Sequence, residues 1–408
     1  MSSKTTFAKV AVSALALLAS GTQVLAGETG PVGGRMGALF LHITGEAKTT
    51  YTDNAYLEDT SKDSGLYTVL VPGLELVSDW GRHAFGARFA GDFGFYHFNS
   101  GDDNYQDFLA QVNGRLDIKR GFYFKVDRLG YERISEHRGS DDIVSNAEEP
   151  WRFHKFGSEA SLVYRPHRVL LSVSGSYFKS IYDDLEEIGG TMRPGELRDH
   201  AAFGGKARAG VAFKRDHFFY VEGGLGRTVY DREINEGAFD RDSSNWSAFA
   251  GLELFVSELL QIDAAIGYVS TDYDDAALGE VEGFGARGSI IWSPDRLTTI
   301  EAQFRTNVEE TISHNAAGRI ARSATLTYHR SITRSVVWDA DLTYANLQYD
   351  GGIVDRRDND VEVGTGLSYY MNRNVRLGLD YLYQFRNSNV AGEDHRANSV
   401  SLTAGLKF

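Results

Sequence analysis

The side chains in this sequence that could do chemistry are charged residues placed at every second position inside otherwise apolar segments. Arg115 and Asp117 alternate with Leu116 and Ile118, and Glu301, Gln303 and Arg305 with Ala302 and Phe304. Asp339 and Asp341 alternate with Ala340 and Leu342, and Arg376 and Asp380 with Leu377, Leu379 and Tyr381. Successive side chains of a strand point to opposite faces, so each segment has one ionisable face and one apolar face. The same parity adds Arg88, Asp92, Lys206, Arg208, Asp263, Arg287 and Glu362 to the ionisable set. Around a wet lumen, such charges set ion selectivity. Their plainer role is to solvate and cross-brace that lumen. Asp339, Asp341, Glu362 and Asp380 form the densest acidic patch, and Arg376 is placed to neutralise part of it.

Other chemistry finds little support. The chain has no Cys, which excludes disulfides, thiol catalysis and thiolate metal sites. Its 11 His are scattered: His83, His167 and His217 sit in turns, His314 follows Ser313 in a loop, and His329 is on a strand. None carries the signature of a Ser–His hydrolase. Gly223-Gly224-Leu-Gly226 and Gly364-Thr-Gly366 lie inside strands, and no helix follows to hold a phosphate. Acidic pairs such as Asp102-Asp103, Asp141-Asp142 and Glu186-Glu187 lack the spacing of a calcium loop and read as solvated loops. No catalytic residue, metal or cofactor is therefore expected. A formal charge of −14 argues against nucleic acid as a partner.

Positioning these charges requires many strands. Alternating segments of ten to fifteen residues recur from about residue 38 onward. Short turns, as at 79–82, 119–121, 165–168 and 293–296, take turns with long polar loops, as at 53–64, 135–155, 183–200 and 387–398. The pattern implies about eighteen strands with both ends on the turn side, the asymmetry of transmembrane antiparallel up-and-down β-barrels with short periplasmic turns and long extracellular loops. No stretch after the amino terminus approaches the length of a spanning helix. The abundance of glycine (44) and aromatics (24 Phe, 21 Tyr, 5 Trp), with only 6 Pro, fits the same reading. The loop at 135–155 is long enough to fold inward as a constriction. Its Trp151 and Phe153 read either as sugar-stacking rings or, more simply, as part of an aromatic girdle.

The two ends agree with this picture. In the last segment Val400, Leu402, Ala404, Leu406 and Phe408 share one face, and Ser401, Thr403, Gly405 and Lys407 the other. The terminal Phe408 is expected to serve as an assembly signal, read by the barrel assembly machinery. At the other end Lys4 and Lys9 precede an apolar run from Val10 to Leu18, and Val24-Leu25-Ala26 has the small residues of a cleavage site. The expected organisation is a signal peptide over 1–26, a short periplasmic segment over 27–37, and an outer-membrane barrel over 38–408. Outer-membrane lipid and lipopolysaccharide are then its surroundings.

The stretches Thr50-Tyr-Thr-Asp-Asn-Ala-Tyr56, Pro72-Gly-Leu-Glu-Leu76, Trp292-Ser-Pro-Asp-Arg-Leu-Thr-Thr299, Met371-Asn-Arg-Asn-Val-Arg-Leu-Gly-Leu-Asp-Tyr381 and Asn387-Ser-Asn-Val-Ala-Gly-Glu-Asp394 resemble the β-barrel porin type 2 family. The resemblance covers nearly all of the expected mature chain. It implies an outer-membrane barrel, often linked to export of capsular or extracellular polysaccharide, with polysaccharide-export components as partners. It brings no catalytic residues. Two functions stay open: a pore for hydrophilic solutes, and a plugged barrel with a structural or adhesion role.

Overall fold

The computed structural model describes residues 33–98, 102–138, 140–141, 143, 147–232, 239–311, 316–350 and 355–408. The expected export segment and cleavage site, and the Ser313–His314 pair, lie outside these residues. A three-residue strand, β1 (Gly34–Met36), turns through Gly37 at φ 66° and pairs back onto β2 (Leu39–Thr52). The chain then runs through β3 (Gly65–Ser78), β4 (Ala84–Tyr96), β5 (Tyr105–Lys119), β6 (Phe122–Glu136), β7 (Trp151–Tyr164) and β8 (Val169–Tyr182). Two short strands, β9 (Leu185–Glu187) and β10 (Thr191–Arg193), pair with each other in the loop that follows. Next come β11 (His200–Lys214), β12 (His217–Tyr230), β13 (Ser243–Ser257), β14 (Leu260–Tyr273), β15 (Glu280–Asp295) and β16 (Thr298–Glu309). The series ends with β17 (Gly318–Ser331), β18 (Val336–Asp350), β19 (Arg357–Tyr370), β20 (Val375–Ser388) and β21 (His395–Lys407).

Each long strand pairs antiparallel with its neighbours in sequence, and β2 pairs with β21 to close the ring. The result is a closed barrel of 18 strands. The closing seam runs from Thr44↔Lys407 to Thr52↔Ser399. Beyond its lower end, Ile43 and Phe408 exchange backbone hydrogen bonds of 3.0 and 2.9 Å, so the last residue helps to close the ring. Closure leaves no sheet edge at this seam, which lipid would not tolerate.

Side-chain parity decides the solvent on each side of the wall. Ile43, Val173, Ile266, Leu326, Leu379 and Leu402 project outward and are exposed, Ile266 by 74% and Leu402 by 64%. Across the same strands Thr50, Ser401 and Thr403 are buried on the inside, and the Thr50 and Ser401 hydroxyls meet at 2.9 Å. A soluble barrel would place these faces the other way round. An apolar exterior around a polar interior is stable only when lipid is the outer solvent.

Among the described residues the longest break in strand pairing lies between β15 and β16. β15 pairs with β14 along its length, but with β16 only from Gly288↔Phe304 down to Asp295↔Thr298. Above that level the Ala286 N–H donates to Thr306 Oγ1 at 3.1 Å. The upper β16–β17 arm packs instead against the inner face of β15. A methyl group added at Gly285 would lie 3.2 Å from the Thr306 Cβ, and one at Gly283 would lie 3.1 Å from the Ile320 Cδ1. Ile320 is buried there with Val281 and Tyr273. Arg241 ties the end of the arm by donating to the carbonyls of Thr311 and Ala316 at 2.9 and 3.1 Å. The arm narrows the interior from one side.

Candidate pore lumen and its mouth

Inward parity on β11 to β16 gathers a set of side chains around a cavity of about 1340 Å³. Lys206, Asp263, Arg287, Glu301 and Arg305 all line it, together with Lys155, Glu253 and Gln303. One side of this cavity is a packed cluster. The Arg208 Nε donates to Glu222 at 2.8 Å and its Nη1 to Asp263 at 3.1 Å. Arg287 pairs with the other oxygen of Glu222, and the Tyr220 hydroxyl donates to Asp263 at 2.5 Å. Both guanidiniums lie over rings, Arg208 on Tyr220 at 4.1 Å and Arg287 on Phe249 at 4.4 Å. These groups pair with one another, so they brace the wall. Lys155, which lies over the Phe178 ring at 5.4 Å, Lys206 and Arg305 form no ion pair among the described residues, and Glu301 accepts from Gln303 at 2.7 Å.

The late strands carry the acidic patch. Asp339 faces His329 at 2.7 Å, Glu362 accepts from Gln384 at 3.1 Å, and Asp380 accepts from Thr403 at 3.2 Å. Asp341 and Asp380 lie over glycines of β19. A Cβ at Gly364 would sit 2.3 Å from the Asp341 Oδ1, and one at Gly366 2.3 Å from the Asp380 Oδ1. The two glycines are thus explained by close approach of carboxylates. Arg376 does not neutralise this patch. Its guanidinium reaches across the closing seam to Glu46 at 2.7 Å, a contact that ring closure creates.

The remaining candidates are dispersed. Arg88 stands between Glu75 and Gln111 in register on β4. Asp92 faces inward, but it is buried at 3% exposure beneath Tyr105, whose hydroxyl donates to it at 3.0 Å. It is closed off from the open lumen. Arg115 and Asp117 pair with each other at 2.7 Å, and Arg115 stacks on Tyr123 at 3.9 Å.

Sequence reasoning missed the mouth. The β6–β7 loop crosses from the side of β5 and β6 to the side of β17 and β20. At its base Arg138 donates to Asp103 at 2.8 and 3.0 Å and stacks on Tyr56. Farther on, Asp141 receives Arg386 at 2.7 Å and Arg356 at 3.0 Å, with Arg319 at 3.8 Å. Burial alone would raise the Asp141 pKa, but Arg386, Arg356 and Arg319 hold its carboxyl well below the usual carboxylate range. Asp358, Asp360 and Glu393 balance the same arginines. Strand parity says nothing about this contact, because only the path of the loop makes it. Trp151 and Phe153 fit neither sequence reading. Trp151 is fully buried, donates to the Asp183 carbonyl at 2.7 Å and lies under Arg198, while Phe153 stacks on Tyr182 at 4.8 Å.

A family model described as "Putative beta-barrel porin 2" matches residues 28–408. The chain belongs to that family. No curated protein matches it. Among solved structures it is similar to the outer membrane protein OpdK of Pseudomonas aeruginosa, at 13% identity over 90% of this chain and 99% of that one, with a TM-score of 0.43. It is also similar to OccAB4 of Acinetobacter baumannii, at 9% identity over 90% and 98% of the two chains, with a TM-score of 0.45. A third is OpdK crystallised with vanillate, at 12% identity over 90% and 99%, with a TM-score of 0.45. This member of the porin family is an antiparallel barrel.

Proposed function

We propose that the barrel is a water-filled pore of the outer membrane that passes small hydrophilic solutes with a weak preference for cations. The observation that carries this reading is the division of the wall, with an apolar outer face and charged groups turned onto an inner cavity of about 1340 Å³. The export segment over 1–26 and the terminal strand ending at Phe408 support delivery to that membrane and recognition by its barrel assembly machinery. Family and fold favour a channel over an enzyme. The preference for cations follows from the acidic patch on β18 to β20, and water in the lumen keeps it modest.

A plugged, structural barrel is the second reading, and the Asp141 contact across the mouth favours it. Polysaccharide is a narrower choice of cargo. Burial of Trp151 and Phe153 removes the rings best suited to stack on sugars. Purified protein in planar bilayers separates these readings. Stepwise conductance is expected, with a reversal potential in a KCl gradient that moves toward anions when Asp339, Asp341 and Glu362 become Asn, Asn and Gln. No steps would overturn the pore; steps whose selectivity ignores the triple substitution would remove these acids as its filter.

A further inference from the structure

The two ends of the barrel differ in how their charges are matched. Of the eight short turns between long strands, seven carry a base, and the β13–β14 turn carries Glu258 instead. Arg82, Arg120, Arg168, Arg296, Arg334 and Arg373 stand one to a turn, all exposed, and form no ion pair among the described residues. Lys214 occupies the seventh turn, beside Arg215, which Asp216 holds at 3.5 Å. The other acidic side chains of these turns are engaged. Asp79 faces Arg35 at 3.8 Å, and Asp295 accepts from the Leu297 N–H at 2.7 Å and the Thr298 hydroxyl at 3.1 Å. Glu258 and the Phe408 carboxylate offset only part of the positive charge. At the loop end, outer-face bases such as Arg152, Arg227 and Arg357 face Glu149, Asp274 and Asp355 at 2.7, 2.6 and 3.3 Å. Arg133 and Arg396 lack such a partner among the described residues, but the loops around them are rich in carboxylates.

The unmatched bases of the turns stand directly beyond a belt of aromatic side chains on the outer face. Trp80, Phe213, Trp292, Trp338, Tyr369 and Phe408 are 38 to 54% exposed there. Other bases reach into the belt itself. The Lys119 Nζ lies 5.8 and 5.9 Å from the rings of Phe122 and Tyr164, and Arg330 is in register with Trp338. Aromatic belts settle at the headgroup level of a bilayer, which puts the bases beyond them at the depth of the lipid phosphates. Their long stems keep to apolar surface while the charged ends reach outward. The turns lie on every side of the ring. A protein partner covers one arc of such a ring, whereas lipid meets all of it. We infer that the turn end of the barrel binds anionic phospholipids, whose headgroups carry a net negative phosphate, in preference to zwitterionic ones. The inference rests on reading the barrel as a membrane protein and is independent of its conductance.

Tryptophan fluorescence provides the test, because Trp80, Trp292 and Trp338 lie in the belt at the turn end, Trp246 is 45% exposed near the loop end, and Trp151 is buried. The full-length protein is reconstituted in phosphatidylcholine bilayers, and quenching by brominated phosphatidylglycerol is compared with quenching by brominated phosphatidylcholine. With Trp246→Phe, which keeps the turn-end reporters, the anionic lipid should be preferred by about two- to fivefold, the attraction of one or two surface bases for a headgroup. With Trp80→Phe, Trp292→Phe and Trp338→Phe together, the remaining Trp246 should report a ratio near one. The turn-end preference should fall toward one at high salt, where such contacts are screened. It should also fall when Lys119, Arg120, Arg168, Arg334 and Arg373 are all replaced by Gln. Equal quenching by the two lipids at the turn end and low salt overturns the inference. So does a preference that survives high salt, or one that Trp246 reports equally. Binding of soluble polyglutamate to the turn end, with no lipid preference, would assign the bases to an acidic soluble partner and also overturn it. The reporter and salt measurements decide the matter even if the five-site variant does not assemble. Absence of quenching by either lipid overturns the membrane reading itself.

Discussion

Removing the charge of Asp141 should loosen the loop that crosses the mouth. In Asp141→Asn the side chain keeps an oxygen acceptor but loses its attraction to Arg386 at 2.7 Å, Arg356 at 3.0 Å and Arg319 at 3.8 Å. Leaving a buried charge with no partner costs about 3–5 kcal/mol, and that limit does not apply here. Arg386 keeps Asp360, Arg356 keeps Asp358 and Glu393, and Arg319 keeps Glu309. The loss is closer to that of two hydrogen bonds between charged groups, partly retained by the amide, or about 2–3 kcal/mol. At 1.4 kcal/mol per tenfold, the latched fraction should fall by roughly a hundredfold relative to the open one. Single-channel recording is the assay: the wild type should hold one steady conductance, and the variant should flicker to larger ones. The sign with pH also follows. A carboxyl whose folded pKa is depressed lends its stability above the unfolded value, near about 4, and loses it only as pH falls through the lower folded value. Wild-type gating should therefore be constant from about pH 8 to about pH 5. Identical step sizes and noise in wild type and Asp141→Asn, with heat-modifiable migration confirming assembly of both, would refute the latch.

The closing seam predicts that Phe408→Ala slows assembly more than Lys407→Ala, because Phe408 is outward and 54% exposed at the seam whereas Lys407 points inward. Urea-resistant, heat-modifiable barrel on unheated gels is the measure, and equal yields would contradict the face assignment. Leu379→Arg should destabilise the barrel in lipid by roughly 2–4 kcal/mol, and Asp380→Arg by much less, in equilibrium unfolding from bilayers. Equal losses would refute the assignment of lipid and lumen faces. Gly364→Ala should displace the Asp341 carboxylate, since the added Cβ falls 2.3 Å from its Oδ1, and should change cation selectivity more than Gly223→Ala, where a Cβ meets open space. Matching reversal potentials for the two variants would dismiss the close approach.

Alternation is a local property. A period of two follows from covalent geometry, so the sequence by itself was enough to put Leu379 and Leu402 on the exposed outer face and Asp339, Asp341 and Asp380 on the opposite one. The turn and loop pattern determined the strand number for a similar reason, since each hairpin is written in contiguous residues. Partners are not local. Arg376 and Asp380 share one strand and one face, yet closure of the ring, with β2 beside β21, gives Arg376 to Glu46 and leaves Asp380 with Thr403. Asp141 looked like one more solvated loop acid until the path of its loop set it among three arginines from the far wall. Trp151 reads the same way in sequence whether it is buried or lines a channel, and the break above Gly288 leaves no mark in the alternation of β15 and β16. These outcomes depend on ring closure, strand stagger and loop path, which only the assembled barrel decides.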